Sequence, residues 1–212
     1  ISEPIAGLAA RMSPDIDLIV SGHTHQPYVC SIPDPAGNPR LVTSAADYGR
    51  AITETNLVID RRTSDVDRAK TTAVNHLNVR TVAPDPAQAA IIAKWSTLAG
   101  PIKNTVVGSH VEDILGDASG NRGIETPMGS LVADSILYGT AGPTKGNAQI
   151  SFMNIGGVRA SLRLSPPTGT EGIGQITYQE AYSIAPFGNL LVTMDMTGDQ
   201  IRQVLEQQYQ PV

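Results

Sequence analysis

The sequence predicts a mixed α/β protein of layered sheets and helices. Three observations carry that expectation. Short β-rich runs fill the chain up to about residue 72, one capped helix stands by itself near residues 83–101, and strands alternate with helices from residue 105 onward. The expected organisation is therefore a first domain over 1–72, a linker with a helix over 73–104, and a second domain over 105–212.

In the first zone "DLIV" (17–20), "RLVTSA" (40–45) and "AITETNLVID" (51–60) read as strands. In the last run Leu57 and Ile59 fall on one face, as a two-residue period requires. "SIPDPAGNPR" between them is dense in Pro, Gly and Asn and reads as a turn. The linker helix has clear punctuation. Asp85 is a good N-cap, Pro86 suits the first helical position, and Gln88 sits three residues after the cap. Ile91, Ile92, Trp95 and Leu98 keep helical spacing, and Gly100-Pro101 is expected to stop the helix.

In the last zone "TVVGSHVEDI" reads as a strand and "TPMGSLVADSILYG" as a helix with Met128, Leu131, Val132, Ile136 and Leu137 on its apolar side. "AQISFMN" reads as a strand ending at Asn154, "TYQEAYSI" as a short helix, and "NLLVTMDM" as a strand. Thr197 is expected to cap a closing helix.

Composition excludes several classes. The chain has 212 residues, 41% hydrophobic and 17% charged, which suits one large or two small globular domains. Its net charge is −5 and it has no basic run, so no nucleic-acid partner is expected. No apolar stretch reaches the roughly 18–20 residues of a membrane span. The opening "ISEPIAG" has neither the basic start nor the apolar core of a signal peptide, so the sequence reads as cytosolic or as a processed piece. One cysteine, Cys30, excludes an intrachain disulfide and reads as structural.

The chemistry-bearing stretch is "DIDLIVSGHTHQPYV" (15–29), which holds two of the four histidines. After an apolar strand, Gly22 is expected to turn the backbone, and His23 and His25 to project to one side of an extended loop. Two imidazoles so placed can converge on one metal or on two adjacent ones, since neutral imidazole is a common ligand for zinc, manganese or iron.

"IDLIVSGHTH" resembles the signature of the calcineurin-like metallophosphoesterases, and the flanking "LAARMSPDIDLIVSGHTHQ" and "VTSAADYGRAITETNLVID" resemble the end of that domain in the 5′-nucleotidase family. The resemblance implies that residues 1–72 close a metallophosphoesterase β-sandwich. It also implies two divalent metal ions, zinc, manganese or similar, with His23 on one and His25 on the other. The family's Asp-x-His, Gly-Asp, Gly-Asn-His-Asp/Glu and further His motifs do not occur here, so no catalytic acid or base is assigned within this chain. The two histidines are expected to be part of a site completed elsewhere, and the 212 residues alone are expected to be inactive. His76 and His110 read as surface or packing residues.

The second half resembles the same family through three motifs in order. "RGIETPMGSLVAD" (122–134) is similar to the opening of the 5′-nucleotidase C-terminal domain, with Ser130 where an Asn is usual. "MNIGGVR" (153–159) is similar to its Asn-x-Gly-Gly-x-Arg loop, and "APFGNLL" (185–191) to its Pro-Phe-Gly-Asn segment. By resemblance, Arg122, Asn154, Gly156, Gly157, Arg159, Phe187 and Asn189 would form the nucleoside pocket, with Glu125 orienting Arg122. The residue chemistry agrees. Two glycines allow a tight turn or a close ligand approach, Arg159 offers a planar charged fork, and a loop phenylalanine offers a face for a nucleobase.

The resemblance implies a parent hydrolase that releases nucleoside and phosphate from nucleotide phosphomonoesters. UDP-sugars or 2′,3′-cyclic nucleotides are alternative substrates, and an inactive nucleoside-binding or structural fragment is the alternative of another class. It also implies an extracellular, periplasmic or cell-surface location.

Overall fold

The computed structural model describes residues 4–116, 123–167, 169, 171–207 and 209. Helices and strands of both zones form a mixed α/β architecture, divided into two compact units, Ile1–Ala83 and Pro84–Gln210.

The first unit begins with α1 (Ile5–Arg11), followed by β1 (Leu18–Val20), β2 (Tyr28–Ser31) and β3 (Leu41–Ser44). These strands make one sheet in the order β1-β3-β2, with β3 parallel to β1 and antiparallel to β2. The central strand β3 lies deepest, with Val42, Thr43 and Ser44 all buried. Ala9, Ile19 and Val42 form the core, with Ile5, Met12, Ile16, Tyr28 and Ile32 packed on it. Because β1 and β3 run parallel, both deliver their following loops to the same edge of the sheet.

The long run 51–60 breaks into β4 (Ala51–Asn56) and β5 (Ile59–Asp60); β6 (Asp65–Val66) pairs with β5, and β7 (Thr72–Leu77) pairs with β4. Residues 73–77, expected in the linker, thus belong to a strand of the first unit, whose six-residue ladder with β4 satisfies their backbone. The Pro-Gly-Asn turn closes on Asp34, whose carboxylate accepts the amides of Ala36 (2.8 Å) and Asn38 (2.9 Å). Arg68 ties this turn down. Its guanidinium bonds Asp17 at 2.7 Å, Asp34 at 2.8 Å and the Pro14 carbonyl.

The second unit opens with α2 (Pro86–Lys103), capped by Asp85, whose carboxylate accepts the Gln88 amide at 2.9 Å. Gly100-Pro101 does not end it. A proline removes only its own N–H and the partner of the carbonyl four residues back. That carbonyl is on Thr97, in the exposed last part of the helix, and the loss of this one bond does not end it. Ile91, Ile92, Trp95, Leu98 and Ile102 of α2 are exposed.

Next come β8 (Val106–Ser109) and α3 (Pro127–Thr140), then β9 (Gln175–Thr177), α4 (Tyr178–Ile184) and α5 (Gly198–Gln207). β8 pairs antiparallel with β9. Thr126 caps α3, Thr177 and Glu180 form a capping box on α4, and Thr197 and Gln200 exchange bonds at the start of α5. Met128, Val158, Leu162 and Ile184 form the buried core, with Ile114, Val132, Met153, Ile155, Ala160 and Ile176 against it.

Two expected strands do not form. Residues 148–154 and 189–196 have no ladder partner among the described residues. Alternation specifies faces, yet a strand exists only through hydrogen bonds to a neighbour. Residues 148–154 are instead held to α3 by the Ser151 hydroxyl on the Ala133 carbonyl and the Ala148 amide on the Thr140 carbonyl.

Candidate functional site

The His-x-His loop leaves the end of β1. Ser21 anchors its start, with its amide and hydroxyl both donating to the Thr43 carbonyl, at 2.8 and 2.9 Å, and its hydroxyl also bonded to the Tyr28 phenol. Beyond it the backbone differs from the expected extended loop. His23 has φ 71° and His25 φ 60°, so the left-handed conformation falls on the two histidines rather than on Gly22. Neighbouring left-handed residues do not project as alternate residues of an extended chain do. Such strain clusters where a surrounding structure enforces it.

The enforcing structure is the loop after β3. Ala46, Tyr48 and Gly49 there also have positive φ, at 72°, 49° and 69°. Asp47 Oδ2 lies 3.2 Å from His25 Nδ1, with the Asp47 side chain 9% exposed and that of His25 40%. The Tyr48 ring meets the His25 imidazole edge-on, 5.4 Å between centroids. Arg50 holds the loop from the other side, its amide on the Asp47 carbonyl at 2.9 Å and its guanidinium 3.4 Å from Asp47 Oδ1. Asp47, Tyr48 and Arg50 were not legible as site residues, because only the parallel pairing of β1 with β3 brings their loop beside the histidines.

The donor chemistry fits one part of a metal centre. Two imidazoles on one loop, one of them 3.2 Å from the Asp47 carboxylate, are donor types that a divalent ion takes. Among the described residues no group of three or more His, Cys, Asp or Glu side chains converges. His76 and His110 take other partners: His76 Nε2 is 3.1 Å from Glu54 across the β4–β7 ladder, and His110 Nδ1 is 2.7 Å from the Glu112 carbonyl.

In the second unit, residues Ile155–Gly157 wind into a single 3-10 turn entered from Asn154. At Gly157 an added Cβ would lie 2.4 Å from Met153 Cε and 3.2 Å from Asn154 Oδ1, so a larger residue there needs the end of the Met153 side chain to swing aside. The buried Val158 then plugs into the core. Its neighbour Arg159 is pinned by its own amide on the Ile184 carbonyl at 2.8 Å, which leaves the side chain at the surface. The guanidinium reaches the Gly156 carbonyl (3.3 Å) and sits 5.4 Å from the centre of the Phe187 ring. Cation–π attraction of this kind orders both groups.

Phe187 is 52% exposed, in a loop that turns at Gly188 (φ 60°). Asn154 and Asn189 are exposed in the same two loops. The structure therefore brings Arg159 and Phe187 together beside the Gly156-Gly157 turn. Arg122 lies outside the described residues. Glu125, expected to orient it, accepts the Ser130 hydroxyl at 2.9 Å. A separate cavity of about 410 Å³, between α3 and residues 146–152 and 192–196, shares no lining residue with these loops.

The fold is a mixed α/β one whose second unit presents Arg159 beside Phe187 at a glycine turn. Residues 105–212 match the 5′-nucleotidase C-terminal domain family, and the chain belongs to it. It is similar to "Endonuclease YhcR" of Bacillus subtilis (strain 168), 32% identical over 98% of this chain and 15% of that protein. It is also similar to "Cell wall protein Lmo0130" of Listeria monocytogenes, 26% identical over 98% of this chain and 27% of that protein. Among solved structures, the 5′-nucleotidase precursor from Thermus thermophilus superposes with a TM-score of 0.62 at 25% identity, covering 95% of this chain and 40% of that one. The chain thus spans a minor part of each of these proteins.

Proposed function

We propose that these residues belong to a metal-dependent phosphoesterase that hydrolyses nucleotide phosphomonoesters to nucleoside and phosphate. The observation that supports it most is the Arg159–Phe187 pair standing at the Gly156-Gly157 turn of a 5′-nucleotidase C-terminal domain. Phe187 offers an exposed ring face to a nucleobase, while Asn154, Asn189 and the Gly156-Gly157 backbone offer polar groups to the sugar. Arg122, outside the described residues, is proposed for the same pocket by its motif alone.

His23 and His25 would hold part of a centre of two divalent ions such as zinc or manganese. When bound, such a pair supplies an activated water and neutralises phosphoryl oxygens. Two imidazoles are fewer than the three or four protein ligands of a catalytic zinc site. The proposal therefore includes further ligands from outside residues 1–212, and the 212-residue chain alone should show no metal-dependent hydrolysis of AMP above background.

Phosphodiester substrates are a second reading, favoured by the 32% identity to a protein named an endonuclease. UDP-sugars and 2′,3′-cyclic nucleotides fall in the same test. An extracellular or cell-surface location is supported by the relative named a cell wall protein. Among the described residues no helix is long and apolar enough to cross a membrane.

The test uses the full-length protein carrying these residues. Phe187→Ala should lower kcat/KM for AMP by about 5- to 150-fold, the equivalent of about 1–3 kcal/mol of lost stacking. It should leave a small aryl phosphate nearly unchanged. Equal losses on both substrates would refute the stacking role. His23→Ala should remove at least about 99% of activity on both, as loss of a metal ligand demands; near-wild-type rates would end the metal assignment. Faster turnover of a cyclic or polymeric diester than of AMP would move the proposal to the second reading.

A further inference from the structure

The Arg159–Phe187 pair of the second unit has a counterpart in the first. In the loop after β3 the Arg50 guanidinium sits 5.9 Å from the centre of the Tyr48 ring, and the His25 imidazole meets that ring edge-on. Tyr48 is 76% exposed and the Arg50 side chain 71%. A ring left in water forgoes the burial that usually places an aromatic residue. Tyr48 also takes φ 49°, a left-handed conformation that is costly for a bulky side chain. Even so, the loop is held firmly. Asn78, just past β7, donates its backbone amide to the Arg50 carbonyl at 2.8 Å and its side-chain nitrogen to the Gly49 carbonyl at 3.0 Å. The Arg50 amide donates to the Asp47 carbonyl at 2.9 Å, and its guanidinium pairs with Asp47 Oδ1 at 3.4 Å. A guanidinium carries several N–H donors in a planar fork, so this one ion pair leaves donors for a phosphate. Ring and fork together match a nucleotide: stacking for the base, charge-assisted hydrogen bonds for the phosphate.

We propose that Tyr48 and Arg50 form a second nucleotide contact, which takes the base and the phosphate of the second nucleotide of a phosphodiester. A nucleotide monoester has one base, and Phe187 is the ring proposed for it. A second ring beside a second guanidinium has a base and a phosphate to hold only where the substrate carries another nucleotide. This substrate claim rests on the phosphoesterase reading under Proposed function and extends it to the diesters of the second reading. The nucleotide contact itself stands on this loop alone. Tyr48 and Arg50 bind; neither takes part in breaking a bond.

The contact is tested by NMR titration of the 212-residue protein with AMP. The Tyr48 ring protons and the Arg50 Nε–H should shift together, and AMP that moves neither overturns the contact. Tyr48→Leu should weaken AMP binding read at Arg50 by about 5-fold or more, the lower end of one lost base stack. The amide resonances of residues 18–20 and 41–44 should stay in place in this variant. Undiminished binding with those amides in place would overturn the stacking role. In a Phe187→Ala chain, which lacks the other proposed ring, the same shifts should persist. Their loss would show that the first unit has no nucleotide contact of its own.

Kinetics of the full-length protein test the substrate claim, with the 5′-phosphorylated adenine dinucleotide pApA as probe. Tyr48→Ala and Arg50→Ala should each lower kcat/KM for cleavage of its internal diester about 5-fold or more beyond their effect on AMP. Equal losses on the two substrates would mark a structural role and overturn the claim. A wild-type protein that hydrolyses AMP and leaves pApA intact would overturn it as well. A protein that hydrolyses neither would instead remove the phosphoesterase reading, and the AMP shifts at Tyr48 and Arg50 would still decide the contact.

Discussion

The two units present their candidate residues by opposite means. In the first, His23 and His25 sit on left-handed backbone, held by contacts between two loops at one edge of a parallel strand pair. In the second, Arg159 is carried by packing: its neighbour Val158 is buried, its amide is bonded, and its side chain follows. Loop-borne placement depends on a few polar contacts and stays adjustable. Core-borne placement inherits the stability of the fold. The proposed nucleoside site would gain from a rigid platform, whereas the proposed metal ligands would gain from polar orientation.

The sharpest way to break this contrast is to remove the core of the second unit. Met128 is fully buried and touches the cluster that seats Val158. Met128→Ala should cost about 2–5 kcal/mol. Hydrogen exchange should show protection lost at residues 158–162 and retained at residues 41–44. Loss spread equally over both segments would mean that the two placements are not separately supported.

The same contrast explains what the sequence made legible. Helix starts at Asp85 and Thr197 were readable because caps are local, acting within three residues on Gln88 and Gln200. The glycine turn at 156–157 was readable for the same reason. Strands 148–154 and 189–196 were misjudged because pairing is not local, and the continuation of α2 through Pro101 because a proline near a helix end removes only one bond. The histidines were visible as residue types. Their conformation and their partner Asp47 were not, since these follow from the β1–β3 register Val20↔Thr43.

Acid should separate the units less strongly. Burial pushes Asp34 up, but the Asn38 amide, the Arg68 guanidinium and the Ala36 amide together hold it below its ordinary value. A folded value below the unfolded one means that this stabilisation is complete above the unfolded pKa. It is lost as pH falls through the folded one, on the acid side of about pH 4. Arg68→Met removes one of the opposing bonds, so the acid transition of the first unit should move to higher pH. Circular dichroism across an acid titration reads this, and an unmoved midpoint would show that Arg68 does not set it.

The smallest expected effect probes the Phe187 loop. Gly157 and Gly188 flank the same pair of side chains, yet they are glycine for different reasons. At Gly157 a Cβ would meet the end of the Met153 side chain, whereas Gly188 has nothing within 4 Å of one and is constrained only by φ 60°. Gly188→Ala should therefore cost about 1–2 kcal/mol through backbone strain alone, with no clash. Gly188→Asn should recover part of it, because asparagine tolerates the left-handed region. Thermal denaturation of the two variants measures the difference. Equal melting temperatures for alanine and asparagine would show that conformation is not what selects glycine there. The Phe187 ring would then owe its position to Arg159 rather than to the turn that follows it.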